Sequence, residues 1–128
     1  MKYLLDTHAA IWAVEEDERL SLRIRALLSS SAKGDVMIAE ASLVEISRLF
    51  YSGKVSYRGA PIDWLYYLCA GFKPLPVTPP IAWRAVSFEW SHRDPADRLI
   101  CSTAIEYDLT LITRDRVIAD WGGVRVLW

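Results

Sequence analysis

Four carboxylates occupy unusual settings in this chain: Asp6, Glu45, Asp97 and Asp115. Asp6 closes the apolar run Tyr3-Leu4-Leu5, and Asp115 closes Leu109-Thr110-Leu111-Ile112 through Thr113-Arg114. Asp97 opens a helical stretch, and Glu45 lies at the edge of the apolar arc of another. Four such groups gathered without bases between them repel, raise one another's pKa and destabilise a fold. A divalent cation resolves that conflict. Hard oxygen ligands with no His or Cys nearby favour Mg²⁺ or Mn²⁺ over zinc. Mg²⁺ keeps waters and is completed by phosphate oxygens, a combination suited to hydrolysing a phosphodiester. One ion would hold the attacking water and a second, if present, the leaving oxygen.

Each acid also has an ordinary reading. Asp6 at the start of a helix accepts backbone N–H bonds as a cap. Glu45 is placed to pair with Arg48 along its own helix. In His92-Arg93-Asp94-Pro95-Ala96-Asp97-Arg98-Leu99-Ile100, Asp94 fits a helix N-cap, Pro95 the first helical position and Asp97 the third. The helical wheel makes Asp97 harder to dismiss. It points with the apolar stripe of Ile100, Cys101, Ala104 and Tyr107, while Arg98, Ser102 and Glu106 face away from that stripe. A carboxylate aimed into an apolar face is costly unless it is paired, hydrogen-bonded or bound to a cation. Arg48, Arg93, Arg98, Arg114 and Arg116 stand around the acids, either as salt-bridge partners or as holders of substrate phosphates. Thr7, Ser42 and Thr113 are hydroxyl residues beside three of the acids, placed to orient ligands or waters.

The elements that carry these residues follow from periodicity. Tyr3-Leu4-Leu5, Val36-Met37-Ile38, Leu109-Thr110-Leu111-Ile112 and Val124 to Leu127 read as short buried strands. Pro74, Pro76, Pro79 and Pro80 limit the stretch around Leu75 to an edge strand. Helices are expected from Ala9, from Ser21, from about Ala41 to Tyr51, from Pro61 through Leu68, over Ile81 to Trp90, from Pro95 and over Arg116 to Trp121. The stripe Trp83, Val86 and Trp90 is expected along one side of the fifth. Glu15-Glu16-Asp17-Glu18 is expected to end the first helix in a solvated loop. Apolar strands alternating with helices predict an α/β fold with a mostly parallel sheet and helices on both faces. In a parallel sheet several of the acids can share the carboxyl rim, where open α/β sheets place their ligand sites.

The chain has 128 residues, of which 52% are hydrophobic, and reads as a single domain over 1–128. Six tryptophans imply apolar surface covered by a partner or a second copy. Fifteen basic against sixteen acidic side chains leave a formal charge of −1, so any polyanion site must be local. Cys69 and Cys101 fit neither a metal-ligand spacing nor a disulfide framework, and each suits a small core position. No stretch resembles a signal peptide or a membrane span, and a cytoplasmic protein is expected.

Four segments together carry a resemblance: Leu4-Leu5-Asp6-Thr7-His8, Ser42-x-x-Glu45, His92-Arg93-Asp94-Pro95-Ala96-Asp97-Arg98-Leu99 and Leu111-Ile112-Thr113-Arg114-Asp115. In order and spacing, over nearly the whole chain, they resemble the PIN-domain ribonucleases, and within these the VapC toxins of toxin–antitoxin pairs. The resemblance implies a three-layer α/β/α PIN-like fold and an Mg²⁺- or Mn²⁺-dependent endoribonuclease acting on RNA. It also implies homodimerisation and inhibition by a cognate VapB-like antitoxin. Asp6, Glu45 and Asp97 match the family's core acids as catalytic and metal-ligating residues, and Asp115 matches a more variable fourth. Asp94 matches an acid preceding the Pro in one subfamily and is not an expected ligand. The segment Cys101-Ser102-Thr103 departs from the small residues and amide common there. The near-apolar stretch Pro61 to Ala70 is the expected antitoxin or dimer surface.

Two other classes compete. A catalytically silent PIN-like module could dimerise with an antitoxin to bind promoter DNA, though such a scaffold has no need of four clustered acids. Phosphate-transfer proteins of the receiver or phosphatase type also place acids at a sheet rim. They need a Lys at a late strand end or an Asp-x-Asp pair after the first strand, and here those places read Thr113-Arg114-Asp115 and Asp6-Thr7-His8.

Overall fold

Residues 2–128 are described in a computed structural model of the chain. Five short strands, β1 (Tyr3–Leu5), β2 (Val36–Ala39), β3 (Lys73–Leu75), β4 (Thr110–Ile112) and β5 (Val126–Leu127), form one sheet in the order β3-β2-β1-β4-β5. Every neighbouring pair is parallel, with Leu4 opposite Met37 on one side and Leu111 on the other. Seven helices connect them: α1 (Thr7–Glu15), α2 (Leu22–Ser30), α3 (Glu40–Tyr51), α4 (Pro61–Gly71), α5 (Pro79–Ser87), α6 (Pro95–Glu106) and α7 (Arg116–Trp121). This is the three-layer α/β/α arrangement expected.

Alternation along the strands sorts the core into two halves. Leu5, Ile38 and Ile112 point to the layer of α1 to α4, where Ile11, Ile24, Ile46 and Leu68 are sealed from solvent. Leu4, Met37 and Leu111 point the other way, onto Ile100, Cys101 and Ala104 of α6 and Ile118 of α7. Strands buried on both faces cannot show polar alternation, which is why they read as unbroken apolar runs. Truncating one of these leucines to alanine costs about 2–5 kcal/mol through lost burial and the cavity left behind.

The structure adds local detail to these expectations and corrects some of them. First, α5 stops at Ser87 and does not reach Trp90. It turns Ile81 and Ala85 inward and leaves Trp83 and Val86 about three-quarters exposed, so the aromatic stripe marks the outer side. Trp90 instead stacks on Trp121, with ring centroids 4.2 Å apart. Second, α6 is buried on both sides. Arg98 and Ser102, expected to face away from the apolar stripe, do so by packing toward α5, and the Ser102 hydroxyl donates to the Ile81 carbonyl at 2.7 Å. Third, α4 is buried only along Trp64 and Leu68, while Ile62, Tyr66 and Tyr67 stay exposed. Fourth, Glu15 is not merely solvated: it accepts from Trp64 Nε1 at 2.8 Å and pairs with Arg58 at 3.2 Å, tying α1 to α4. The last strand is also shorter than Val124 to Leu127. It follows Gly122, whose φ of 73° ends α7 in a conformation that favours glycine. Among the described residues, no helix is long and apolar enough to cross a membrane.

Candidate active site

The chain leaves β1 for β2 on one side and later returns to β4 on the other, so the sheet's connections diverge between β1 and β4. Ligand sites of open parallel sheets form at that crevice, beyond the carboxyl ends of the strands. Asp6 and Thr113 are the residues that follow β1 and β4 there. The Asp6 N–H donates to the Ile112 carbonyl at 3.1 Å, extending the ladder by one bond. Its side chain does two jobs. Oδ1 accepts from the Ala9 N–H at 2.8 Å as the N-cap of α1, and Oδ2 accepts from the Thr113 hydroxyl. Thr113 Oγ1 in turn accepts from the Asp115 N–H at 3.0 Å, fixing the turn that carries the second acid. Asp115 caps α7 by accepting from the Val117 N–H at 2.8 Å.

Asp97 arrives from the opposite layer. Asp94 is the N-cap of α6, accepting from the Asp97 N–H at 3.0 Å, and Pro95 takes the first helical position, as its fixed φ suits. Asp97 Oδ2 lies 2.7 Å from Nε2 of His92, so an imidazole does touch the acid cluster, against the expectation of none nearby. Asp6, Asp97 and Asp115 then line one cavity of about 240 Å³ together with Thr7, His8, Trp12 and Arg114. His8 and Trp12 were not singled out from the sequence. Their spacing of four places them on one face of α1, and their rings lie 5.7 Å apart.

Burial drives the electrostatics of the cavity. It pushes Asp6 up to about 6, opposed by the bonds from Thr113 and Ala9, with the charge of Asp97 adding to the rise. Asp97 is also raised, again mainly by burial, with His92 opposing and the charges of Asp94 and Asp115 adding. Asp6 is thus raised by the charge of Asp97, and Asp97 by that of Asp115, in a site held partly out of water.

Glu45 does not enter this cavity. It is half-buried on α3 and lines a neighbouring one of about 280 Å³ with Val44, Arg48, Pro95, Ala96 and Leu99. The first turn of α6 separates the two spaces, with Pro95 and Ala96 toward Glu45 and Asp97 toward Asp6. Among the described residues, Glu45 and Arg48 form no ion pair. Ser42 is fully buried one turn earlier on α3, and its hydroxyl, like that of cavity-lining Thr7, has no hydrogen-bond partner among the described residues.

Arg98 departs most from its expected place beside the substrate. Its guanidinium is buried and donates to four carbonyls, those of Ala85 at 2.6 Å, Phe88 at 2.8 Å, His92 at 2.9 Å and Trp90 at 3.0 Å. With its donors so committed, it ties the segment between α5 and α6 to the helix that carries Asp97. Arg114 is exposed, with its guanidinium 4.5 Å from the centroid of the Trp12 ring.

The donors suit a hard divalent cation by type: three carboxylates lining one cavity, two of them disfavoured in their charged form by burial, and the free hydroxyl of Thr7. Among the described residues, no group of three or more His, Cys, Asp or Glu side chains is arranged to hold an ion as it stands. Mg²⁺ requires no such cage, because it keeps several waters and commonly takes one or two carboxylates directly.

A parallel α/β/α sandwich with aspartates gathered over the diverging strand ends is the architecture of this chain. The chain belongs to the PIN-domain family, whose profile matches residues 3–123. Within it the chain is VapC-like: Ribonuclease VapC22 of Mycobacterium tuberculosis is 33% identical over 114 residues, spanning 88% of this chain and 86% of that relative. Among solved structures, VapBC2 from Rickettsia felis bound to a DNA fragment from their promoter is similar with a TM-score of 0.73 and 15% identity, covering 100% of this chain and 99% of that one. VapBC-1 from nontypeable Haemophilus influenzae gives 0.73 at 16% identity, covering 99% and 97%. These two likenesses concern the fold.

Proposed function

We propose that this chain is a Mg²⁺- or Mn²⁺-dependent endoribonuclease, the toxin of a toxin–antitoxin pair, working in the cytoplasm as a homodimer held in check by a VapB-like antitoxin. The observation that carries this reading is the convergence of Asp6, Asp97 and Asp115 on one cavity at the divergence of the sheet's connections. The identity to a relative named a ribonuclease supports the reaction class. The relatives solved as VapBC complexes support the partner.

When bound, a divalent ion would supply positive charge that offsets the scissile phosphate and would ease proton loss from water, making it nucleophilic near neutral pH. Asp6, Asp97 and Asp115 are the residues that would hold it, while Glu45 lines the separate space on the other side of the first turn of α6. Thr113 aligns Asp6 and Asp115 through one hydroxyl, and Ala9 fixes the second oxygen of Asp6. His92 steadies Asp97. Thr7 offers a buried hydroxyl to a water beside Asp6. Arg114 gives the cavity a cation for a neighbouring phosphate.

Induced expression of the wild type should arrest growth, and Asp6→Ala should not. The purified protein should cleave single-stranded RNA with Mg²⁺ or Mn²⁺ and stop with chelator. A wild type that arrests nothing, cuts nothing and shows no melting shift with millimolar metal would instead make the chain a silent binding module.

A further inference from the structure

Eleven of the basic residues are arginines, and most are occupied: Arg19, Arg58, Arg84 and Arg125 by carboxylates, Arg25 and Arg98 by backbone carbonyls. Among the described residues, Arg23, Arg48, Arg93, Arg114 and Arg116 have no hydrogen-bonded or ion-pair partner. Three of these five converge. Arg23 from α2, Arg114 from the turn after β4 and Arg116 from the start of α7 line a single groove of about 580 Å³ along the β5 edge, with Trp128 in its wall. The groove shares a wall with the aspartate cavity, since Arg114 and Asp115 line both.

Three cations share this groove with a single acid, Asp115, and none of the three is ion-paired to it, leaving a local positive excess that suits a polyanion on a protein of net charge −1. The aromatic wall narrows the choice. Trp12 is already covered by the guanidinium groups of Arg19 and Arg114, at 5.3 and 4.5 Å from its centroid. Trp128 meets Trp12 edge-on at 5.8 Å and is only half-buried, so part of its indole remains open. Guanidinium groups spaced along a groove beside an open indole suit a single strand, whose phosphates are met as charges and whose bases stack without sequence preference. An acidic peptide would use the cations and leave the indole unexplained.

We propose that Arg23, Arg114, Arg116 and Trp128 form the track for the RNA strand on one side of the scissile phosphate. Arg114, held on Trp12, is the hand-over point between track and cavity. This rests on the ribonuclease reading and adds a binding surface to it.

The test uses the full chain in chelator, so that no cleavage occurs, and a fluorescein-labelled single-stranded RNA dodecamer followed by anisotropy. Arg23→Gln with Arg116→Gln should weaken binding by about tenfold or more at moderate salt and lower the log Kd against log salt slope by about 1.4, two phosphate contacts on a single strand. Lys54→Gln, an equal charge change per residue outside the groove, should stay within about twofold. Trp128→Leu should weaken binding and Trp128→Phe restore it, with melting curves recorded for each variant. Unchanged binding in the arginine pair, an equal loss in Lys54→Gln, or tighter binding of duplex DNA through the same residues would each overturn the track. RNA bound in the groove but never cut on adding Mg²⁺ or Mn²⁺ would fail the ribonuclease reading alone. Cleavage with groove variants indistinguishable from wild type would fail the track alone.

Discussion

Thr113, 107 residues further along the chain at the end of another strand, donates its hydroxyl to Oδ2 of Asp6, and Thr113 Oγ1 itself accepts the Asp115 N–H at 3.0 Å. One hydroxyl thus sets the position of two acids. Thr113→Val should leave Asp6 short of a donor that favours its charged form, moving its pKa above 6. The cost in stability is about 1–2 kcal/mol, since Thr113 is buried. Metal affinity should fall about 10- to 100-fold, as is usual when a residue orienting a ligand is removed. Isothermal titration with Mn²⁺ checks this, and Thr113→Ser should recover most of the loss.

The raised pKa of Asp6 makes the metal-free protein favour acid. Its ordinary value is 3.8 and its folded value about 6, so between those pH values the folded state holds a proton that the unfolded chain releases. Stability therefore declines as pH rises from about 4 to about 6 and levels above that, by roughly 2–3 kcal/mol from this group. Asp97 shifts in the same direction. Asp17, held near 2 by its bonds to Arg19, acts in the opposite sense, and only below pH 4. Melting temperatures in chelator across pH 4–7 test the slope; a curve rising through that window contradicts the buried charge.

Replacing one charge in the cavity should separate stability from activity. Asp97→Asn removes the repulsion with Asp6 and Asp115 and should raise the metal-free melting temperature by roughly 2–5 °C, equivalent to about 1 kcal/mol. Cleavage should be lost. An equal or lower melting temperature would count against a mutually repelling set of acids.

Saturating Mg²⁺ or Mn²⁺ should stabilise the wild type by about 2.7 kcal/mol at a hundred times its dissociation constant. The same addition should do little for Asp6→Asn. Differential scanning fluorimetry in phosphate-free buffer is sufficient.

Arg98→Ala should unfold a large fraction of the molecules, because it strands four carbonyls that the guanidinium now satisfies, at about 3–5 kcal/mol. Arg98→Lys keeps the charge and loses the planar fork, and should recover part of the loss. Chemical denaturation of both variants ranks them.

The sheet was legible because Leu4-Leu5, Met37-Ile38 and Leu111-Ile112 are apolar on both faces, and only a parallel, doubly covered sheet asks for that. Asp94 and Ser21 were legible as caps because capping is a local event. Long-range partners were not. Arg98 looks like a surface charge until the segment after α5 folds back over it. Trp83, Val86 and Trp90 keep helical spacing, yet periodicity alone cannot tell an inward face from an outward one, and here the inward face is Ile81 and Ala85. His92 reaches Asp97 because the chain bends before Asp94, a turn no spacing announces. Asp6, Asp97 and Asp115 meet as expected at the rim. Glu45 stands one helical turn away from them, in a space that its own helix and α6 define.

The central position of β1 has a consequence for synthesis. During synthesis β1 must wait for β4, more than a hundred residues later, before its second edge is paired and Thr113 can reach Asp6. Contacts so distant in sequence form late. A nascent chain that stops anywhere short of Asp115 therefore holds an unfinished site.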